Sequence, residues 1–354
     1  MGCHFRTIAC FVVAAAVGGC ARSGTMLPVP QGLPGSSILT APKASAGFKF
    51  YTVDYPHKSP NRITGIADNQ EIVGVYGTSR TQNPYHSYTS QYDSRQPYSK
   101  FQRDDYPNSP ITYMASISVA HSGNSIQAGY VITPGDLHGN WGVINSNGLW
   151  TLIRRHRGEG HCHMMELFGS NIGNDFAVGF YWQDDSPPSG FCSKHTQYIT
   201  EVRPGEGFHD FPQVTGRNPV AEGVTKSGWL LGITDSSGSE PTQGWTKMYC
   251  KGCRKGTQVK YWNYKNDRHS STQLLGVNDS GVAVGTYQNA NGSWHGLIAT
   301  NLFSISKQPK WQSIDEPDGN QTSTVISGID NSGDICGWYT GTDGRTHGFV
   351  AIHQ

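Results

Sequence analysis

Apolar and polar positions along the chain follow one cadence: an apolar pair, a polar turn, a short apolar run and a glycine. It appears in "ITGIADNQEIVGVY" (63–76), "ASISVAHSGNSIQAGY" (115–130), "LFGSNIGNDFAVGF" (167–180), "AEGVTKSGWLLGI" (221–233), "LLGVNDSGVAVGTY" (274–287) and "ISGIDNSGDICGWY" (326–339). The marker glycines Gly74, Gly129, Gly179, Gly232, Gly285 and Gly337 stand 55, 50, 53, 53 and 52 residues apart. A fixed period near 50 residues is the signature of a repeat architecture. Each unit reads as four strands. Strand A is the "SGI" type and strand B the "AVGTY" type, joined by an Asn/Asp/Gly turn whose residues tolerate positive φ. Strand C is "HGLIA" (295–299) or "HGFVA" (347–351), with degraded copies "WGVIN" (141–145), "GFCSK" (190–194) and "GWTKM" (244–248). Strand D is "KWQSIDEP" (310–317), matched by "KFQRDDYP" (100–107), "LWTLIRR" (149–155), "QYITEV" (197–202) and "VKYWNY" (259–264).

Four short antiparallel strands repeated six times predict an all-β fold, a six-bladed β-propeller of four-stranded antiparallel blades over residues 48–354. A β-solenoid is the other architecture, with shorter and parallel units. The last unit stops after strand C. Its missing strand D stands at the other end of the chain, because "FKFYTVDYP" (48–56) matches "KFQRDDYP". The N-terminal strand is therefore expected to complete the last blade and leave no open edge between last and first. The run "GVNDSGVAVGTY…HGLIA…WQSIDEP" and its sixth copy resemble the bacterial extracellular repeats of the HAF family. That resemblance implies a repeat type and no common activity.

Before the repeats, Arg6 and the apolar run "IACFVVAAAV" (8–17) form a signal peptide over residues 1–19, too short to span a bilayer as a helix. It ends in "VGGC" (17–20), which resembles the lipobox of bacterial lipoproteins. The resemblance implies that Cys20 carries the lipid. With Ala21 next, it implies the bacterial outer membrane or cell surface as destination. Ordinary cleavage without lipid is the other reading. Residues 20–47 are rich in Pro, Gly and Ser and read as a flexible tether.

Composition adds little beyond this. The 354 residues carry a net charge of +1, with 15% charged residues and 44 glycines. Nothing there points to nucleic acid or to a charged membrane surface.

In this strand order the B–C turns and the D-to-A crossings share one face. A residue common to all units serves packing, so His295 and His347 read as repeat structure. Function is expected where copies depart from the pattern, in the crossings. These hold His57, His156, His161, His163, His209 and His269, with Arg62, Arg154, Arg155, Arg157, Arg217 and Arg268 beside them. The crossing "RRHRGEGHCHMM" (154–165) allows three readings. One is an anion site, since Arg takes carboxylate or sulfate in a planar fork and His works as acid or base near neutral pH. Another is a metal site using His161, His163 and a distant partner. The third is a loop pinned by a disulfide. No ligand set of recognisable spacing is present, and no metal or cofactor is expected.

Outside the leader and Cys20, five cysteines remain: Cys162, Cys192, Cys250, Cys253 and Cys336. An exported chain meets an oxidising compartment. Cys162 with Cys192, and Cys250 with Cys253, are the candidate disulfides. Cys336 is expected free and buried. Tyrosines in the stretch 78–100 and Trp182 beyond the third strand B are candidates for stacking on sugar rings, or for packing between blades.

Two functions fit. One is a non-catalytic cell-envelope binding or scaffold propeller, offering its crossing face to a glycan, peptide or protein and touching the membrane only through its lipid. No nucleophile elbow, HExxH or paired carboxylates argue against it. The other is a lyase or hydrolase of an acidic, uronate polysaccharide, with His156, His161, His163, Arg155 and Tyr181 as candidate catalytic residues.

Overall fold

A computed structural model describes residues 47–77, 85–95, 97–119, 123–132, 140–153, 163–171, 176–184, 195–203, 207–210, 219–234, 241–248, 259–266, 270–320 and 323–354. The signal peptide, the tether and Cys20 lie outside them. The chain is an all-β propeller of four-stranded antiparallel blades. β1 (Phe48–Thr52) precedes a first sheet of β2 (Asn61–Ile66), β3 (Glu71–Gly77), β4 (Tyr85–Gln91) and β5 (Phe101–Arg103). The second holds β6 (Ile111–Val119), β7 (Ser125–Ile132), β8 (Trp141–Ser146) and β9 (Leu149–Ile153). The third holds β10 (His163–Asn171), β11 (Phe176–Asp184), β12 (His195–Arg203) and β13 (Gly207–Asp210). The fourth holds β14 (Pro219–Val224), β15 (Trp229–Thr234), β16 (Gln243–Met248) and β17 (Lys260–Trp262). The fifth holds β18 (Thr272–Val277), β19 (Ala283–Gln288), β20 (Trp294–Thr300) and β21 (Lys310–Ile314). The sixth joins β22 (Val325–Ile329), β23 (Ile335–Thr340) and β24 (Thr346–His353) to β1.

β1 pairs antiparallel with β24 from Phe48 opposite His353 to Thr52 opposite Phe349. The Val53 amide then donates to the Gly348 carbonyl at 2.8 Å. β2 packs against β22, β23 and β24, as β6 packs against β2, β3 and β4.

Burial explains the strand roles. β2 and β14 are buried along their whole length, while β5 and β21 are mostly exposed. These sheets therefore turn their first strand inward and their fourth outward. Every first strand also carries a bulge at one place: Ile63/Gly65, Met114/Ser116, Leu167/Gly169, Ala221/Gly223, Leu274/Gly276 and Ile326/Gly328. The marker glycine sits opposite this bulge. A Cβ on Gly285 or Gly337 would overlap the carbonyl oxygen of Gln273 or Val325 on the neighbouring strand. That close approach, rather than a turn, is why glycine recurs there.

Repeated side-chain pairs tie the third and fourth strands. His86 Nδ1 meets Asp105 Oδ2 at 2.8 Å, His295 Nδ1 meets Asp315 Oδ2 at 2.8 Å, and His347 Nδ1 meets Asp54 Oδ2 at 2.6 Å. Each ring lies beside a tyrosine of the second strand, Tyr76, Tyr287 or Tyr339. His295 and His347 thus serve repeat structure. Asp54 fills the role of Asp315 from the opposite end of the chain. Burial alone would lower the His347 pKa, but its bonds to Asp54 and Asp343 outweigh this and raise it.

Three readings of the sequence are corrected. "QYITEV" lies in β12, a third strand, because the long β11 pairs with it from Ala177 opposite Val202 to Asp184 opposite His195. The fourth strand of that sheet is Gly207–Asp210, so His209 sits on a strand edge and not in a crossing. The third strand of the first sheet is β4, inside the tyrosine-rich stretch 78–100; His86–Ser87 there match His295–Gly296. The tyrosines of that region pack inside: Tyr76, Tyr88 and Tyr98 are buried. Cys336 is free and buried.

The A–B turns interlock around the axis. The Lys226 amide donates to Asp279, the Asp279 amide to Asn331 and the Asn331 amide to Asp68, so a relay runs from the fourth sheet through the sixth to the first. Asn278 adds its Nδ2 donor to the Asp330 carbonyl at 3.1 Å. Asp330 takes the place of Asn278 in the sixth turn. Its Oδ1 accepts the Ser332 and Asp334 amides, but its Oδ2 is buried without a partner. Burial first, then the charge of Asp334, raises its pKa to about 7. A carboxyl raised in the fold keeps its proton there, so the stability it allows is full below its unfolded pKa and is lost as pH rises through about 7. Asp330→Asn restores the amide donor. Thermal unfolding is expected to show a higher Tm for this variant at about pH 8, a smaller rise at about pH 5 and little change at about pH 3; an equal shift at all three would contradict the assignment.

Candidate functional site

The six first strands put two levels of side chains on the axis. The level nearer the crossings holds Arg62, Tyr113, Glu166, Val220, Gln273 and Val325, each one residue before the marker-glycine partner. The bulge level holds Thr64, Ala115, Phe168, Glu222, Leu275 and Ser327. These six, with Tyr113 and Trp338, line one cavity of about 20 Å³. That is room for about one water molecule and not for a sugar ring. Thr64 Oγ1 donates to the Met114 carbonyl at 2.7 Å, and Ser327 Oγ donates to the Ile63 carbonyl at 2.7 Å. The same bulge hydroxyl therefore bonds the first sheet to the second and the sixth to the first. At the far end of the axis, beside the A–B turns, a second cavity of about 110 Å³ has an aliphatic wall that includes Ile66, Val277 and Ile329 under a rim with Asp68, Asp279 and Asn331.

Arg62 is the most unusual group on the axis. It is 8% exposed. Its guanidinium carbon lies 5.5 Å from the Trp338 ring centre and 5.7 Å from that of Tyr85. The Tyr113 hydroxyl is beside it, and the Tyr113 ring stacks on Tyr130 at 5.1 Å. Among the described residues no carboxylate pairs with Arg62 within 4.0 Å. Cation–π contact offsets only part of what burying a cation costs.

Two carboxyls share the axis. Asn140 Nδ2 donates to Glu166 Oε1. Burial, partly opposed by that bond, raises the Glu166 pKa to about 7. Burial and then the charge of Glu166 push Glu222 well above the carboxylate range. Five buried polar atoms at these levels have no hydrogen-bond partner: Arg62 Nε, Tyr113 OH, Glu222 Oε1, Gln273 Oε1 and Trp338 Nε1. Native interiors leave few such atoms, and a cluster of them marks a strained or functional place.

Of the residues singled out from sequence, Arg62 reaches the axis. His57 is exposed in the turn after β1, at φ 59°. His163 begins β10, Tyr181 and Trp182 lie on β11, and His209 lies on β13; only their backbones are described. Arg154, Arg155, His156, Arg157, His161, Arg217, Arg268 and His269 lie outside the described residues, as do Cys162, Cys192, Cys250 and Cys253. Sequence reading passed over Tyr113, Glu166, Glu222, Gln273 and Trp338, which hide inside repeat strands. Aligning the six copies on the first-strand partner of the marker glycine would have exposed the axial ones, because it sets Arg62, Tyr113, Glu166 and Gln273 beside Val220 and Val325, and Glu222 beside five uncharged residues.

No family model matches the chain, and no curated protein matches it. The resemblance to the HAF repeats therefore rests on the repeat residues themselves. Among solved structures, a protein of unknown function from Dyadobacter fermentans aligns over 87% of this chain and 100% of its own, at 9% identity and a TM-score of 0.52. A Hadza microbial sialidase aligns over 83% of this chain and 65% of its own, at 11% identity and a TM-score of 0.50. At such identities the likeness shows the fold.

Glu222 tests whether the axis is kept for stability. Leu275 fills the same level in the fifth sheet. Glu222→Leu, which removes an unpartnered buried carboxyl, is expected to raise unfolding free energy by roughly 1–3 kcal/mol in a denaturant titration. A loss of stability would show that the carboxyl is a structural bond rather than a group held at a cost.

Proposed function

We propose that this chain is a non-catalytic cell-envelope propeller, anchored by lipid on Cys20, that binds a glycan on its crossing face above the axis. In this reading the six sheets form one closed ring. The β1–β24 ladder, the packing of β2 against the sixth sheet and the matching bulge hydroxyls support that closure. The crossings then converge over Arg62. The observation that carries the reading is Arg62 itself: a buried guanidinium between Trp338 and Tyr85, among polar atoms without partners. An aromatic pair beside a directed donor is how proteins hold sugars, with ring faces on the carbohydrate and polar groups on its hydroxyls. The sialidase neighbour shows that this fold carries glycan chemistry elsewhere.

The lyase or hydrolase reading is weaker for the described residues. Glu222 lines a cavity that admits about one water, Glu166 is buried and bonded to Asn140, and burial holds Tyr113 strongly in its protonated form. Neither arrangement offers a base to a sugar carbon.

The test is a glycan array probed with the full chain in detergent, followed by product analysis of every glycan bound. Binding is expected without release of reducing ends or unsaturated uronate. Tyr85→Ala is expected to weaken binding about tenfold, or ~1.4 kcal/mol. Turnover of a bound glycan, or no glycan bound, would overturn the proposal.

A further inference from the structure

The glycan reading leaves the class of sugar open, and the charge on the axis narrows it. Arg62 on β2 faces Trp338 of β23, Tyr85 of β4 and Tyr113 of β6. All three are neutral aromatics, and ring faces satisfy a guanidinium's charge without using its in-plane hydrogen-bond directions. Its Nε–H has no acceptor. A planar fork left with donors and no anion matches a carboxylate, which takes two parallel N–H bonds from one guanidinium.

The rest of the axis sets the charge that a ligand can bring. Tyr113 has Arg62 on one side and Glu222 near it on the other, and Glu222 in turn feels Glu166. Among the described axial residues of these two levels, Arg62 is the only cation and these two are the only carboxyls. One positive group near two acids suits a single negative charge. A dianionic phosphate would meet repulsion as soon as either acid ionised. Val220, Val325, Tyr113 and Trp338 form one buried apolar cluster against which the partly exposed Tyr85 packs, and an aromatic face at its edge suits a sugar better than a small free ion.

We propose that the crossing-face end of the axis takes a carboxylate-bearing sugar, with Arg62 as the anchor of the carboxylate. This rests on the glycan reading. Arg62 positions the ligand through its carboxylate, and the aromatic rings hold its ring.

The experiment uses calorimetric titration of the full chain in detergent with trigalacturonate, a hyaluronan tetrasaccharide and sialyllactose, each beside its methyl ester, and with neutral glycans. At least one acid is expected to bind, with its ester at least tenfold weaker. Arg62→Lys keeps the charge and loses the fork, and is expected to weaken the acid about tenfold while leaving the ester unchanged. Arg62→Gln is expected to abolish the preference for acid over ester. Should Arg62→Gln fail to fold, the lysine variant and the ester comparison still decide. Equal binding of acid and ester, or an acid preference untouched by Arg62→Lys, overturns the inference and leaves the glycan reading in place. Binding of neutral glycans alone does the same. Binding of no glycan overturns both.

Discussion

The ladder between β1 and β24, with the His347–Asp54 pair at its end, is the constraint on which the structure depends. It joins residues about three hundred positions apart, so the chain must bring its two ends together before the sixth sheet is complete. Loop-closure entropy grows only slowly with length, and the larger consequence of such long-range pairing is kinetic. The axis needs this seam. The sheet it completes packs on the first: Ser327 bonds to Ile63, Asn331 bonds to Asp68, and the Trp338 ring lies beside the Arg62 guanidinium. Trp338 of that sheet is one of the three aromatic neighbours of Arg62.

Stability and function pull apart by radius. At the outer strands, His–Asp pairs beside a tyrosine recur in the first, fifth and sixth sheets. At the axis, where six first strands crowd together, the third and fourth sheets carry Glu166 and Glu222, the first carries Arg62 and the fifth carries Gln273. The sixth, with Val325 and Ser327, shows that an apolar or small residue fits the same levels. The axis therefore carries polar groups that packing does not require. Groups that break the packing rule are expected at functional or strained places.

Much of the fold was legible in the sequence because its devices are local. The A–B turns declare themselves through Gly281 and Gly333, which take positive φ. The N-terminal strand was recognisable because Asp54 stands in "VDYP" as Asp105 stands in "DDYP". The third sheet was misread where pairing, not propensity, decides: β11 extends to Asp184 and draws "QYITEV" beside it. The site was less legible. Histidines and arginines in loops attract notice, whereas Glu166 and Glu222 sit inside buried strands. A bulge shifts the inward-facing register there, so a simple alternation hides which residues reach the axis. Arg62 was noticed as a crossing residue, but its place between Trp338 and Tyr85 depends on tertiary contact across the seam.

The most direct measurement is amide hydrogen exchange on the peptide spanning residues 47–56, read by mass spectrometry at several protein concentrations. The account predicts that the β1 amides that bond to β24 are protected about as strongly as those of β23, and that dilution leaves this protection unchanged. Exchange at the rate of an open segment, or protection that disappears on dilution, would contradict the seam and with it the axial site.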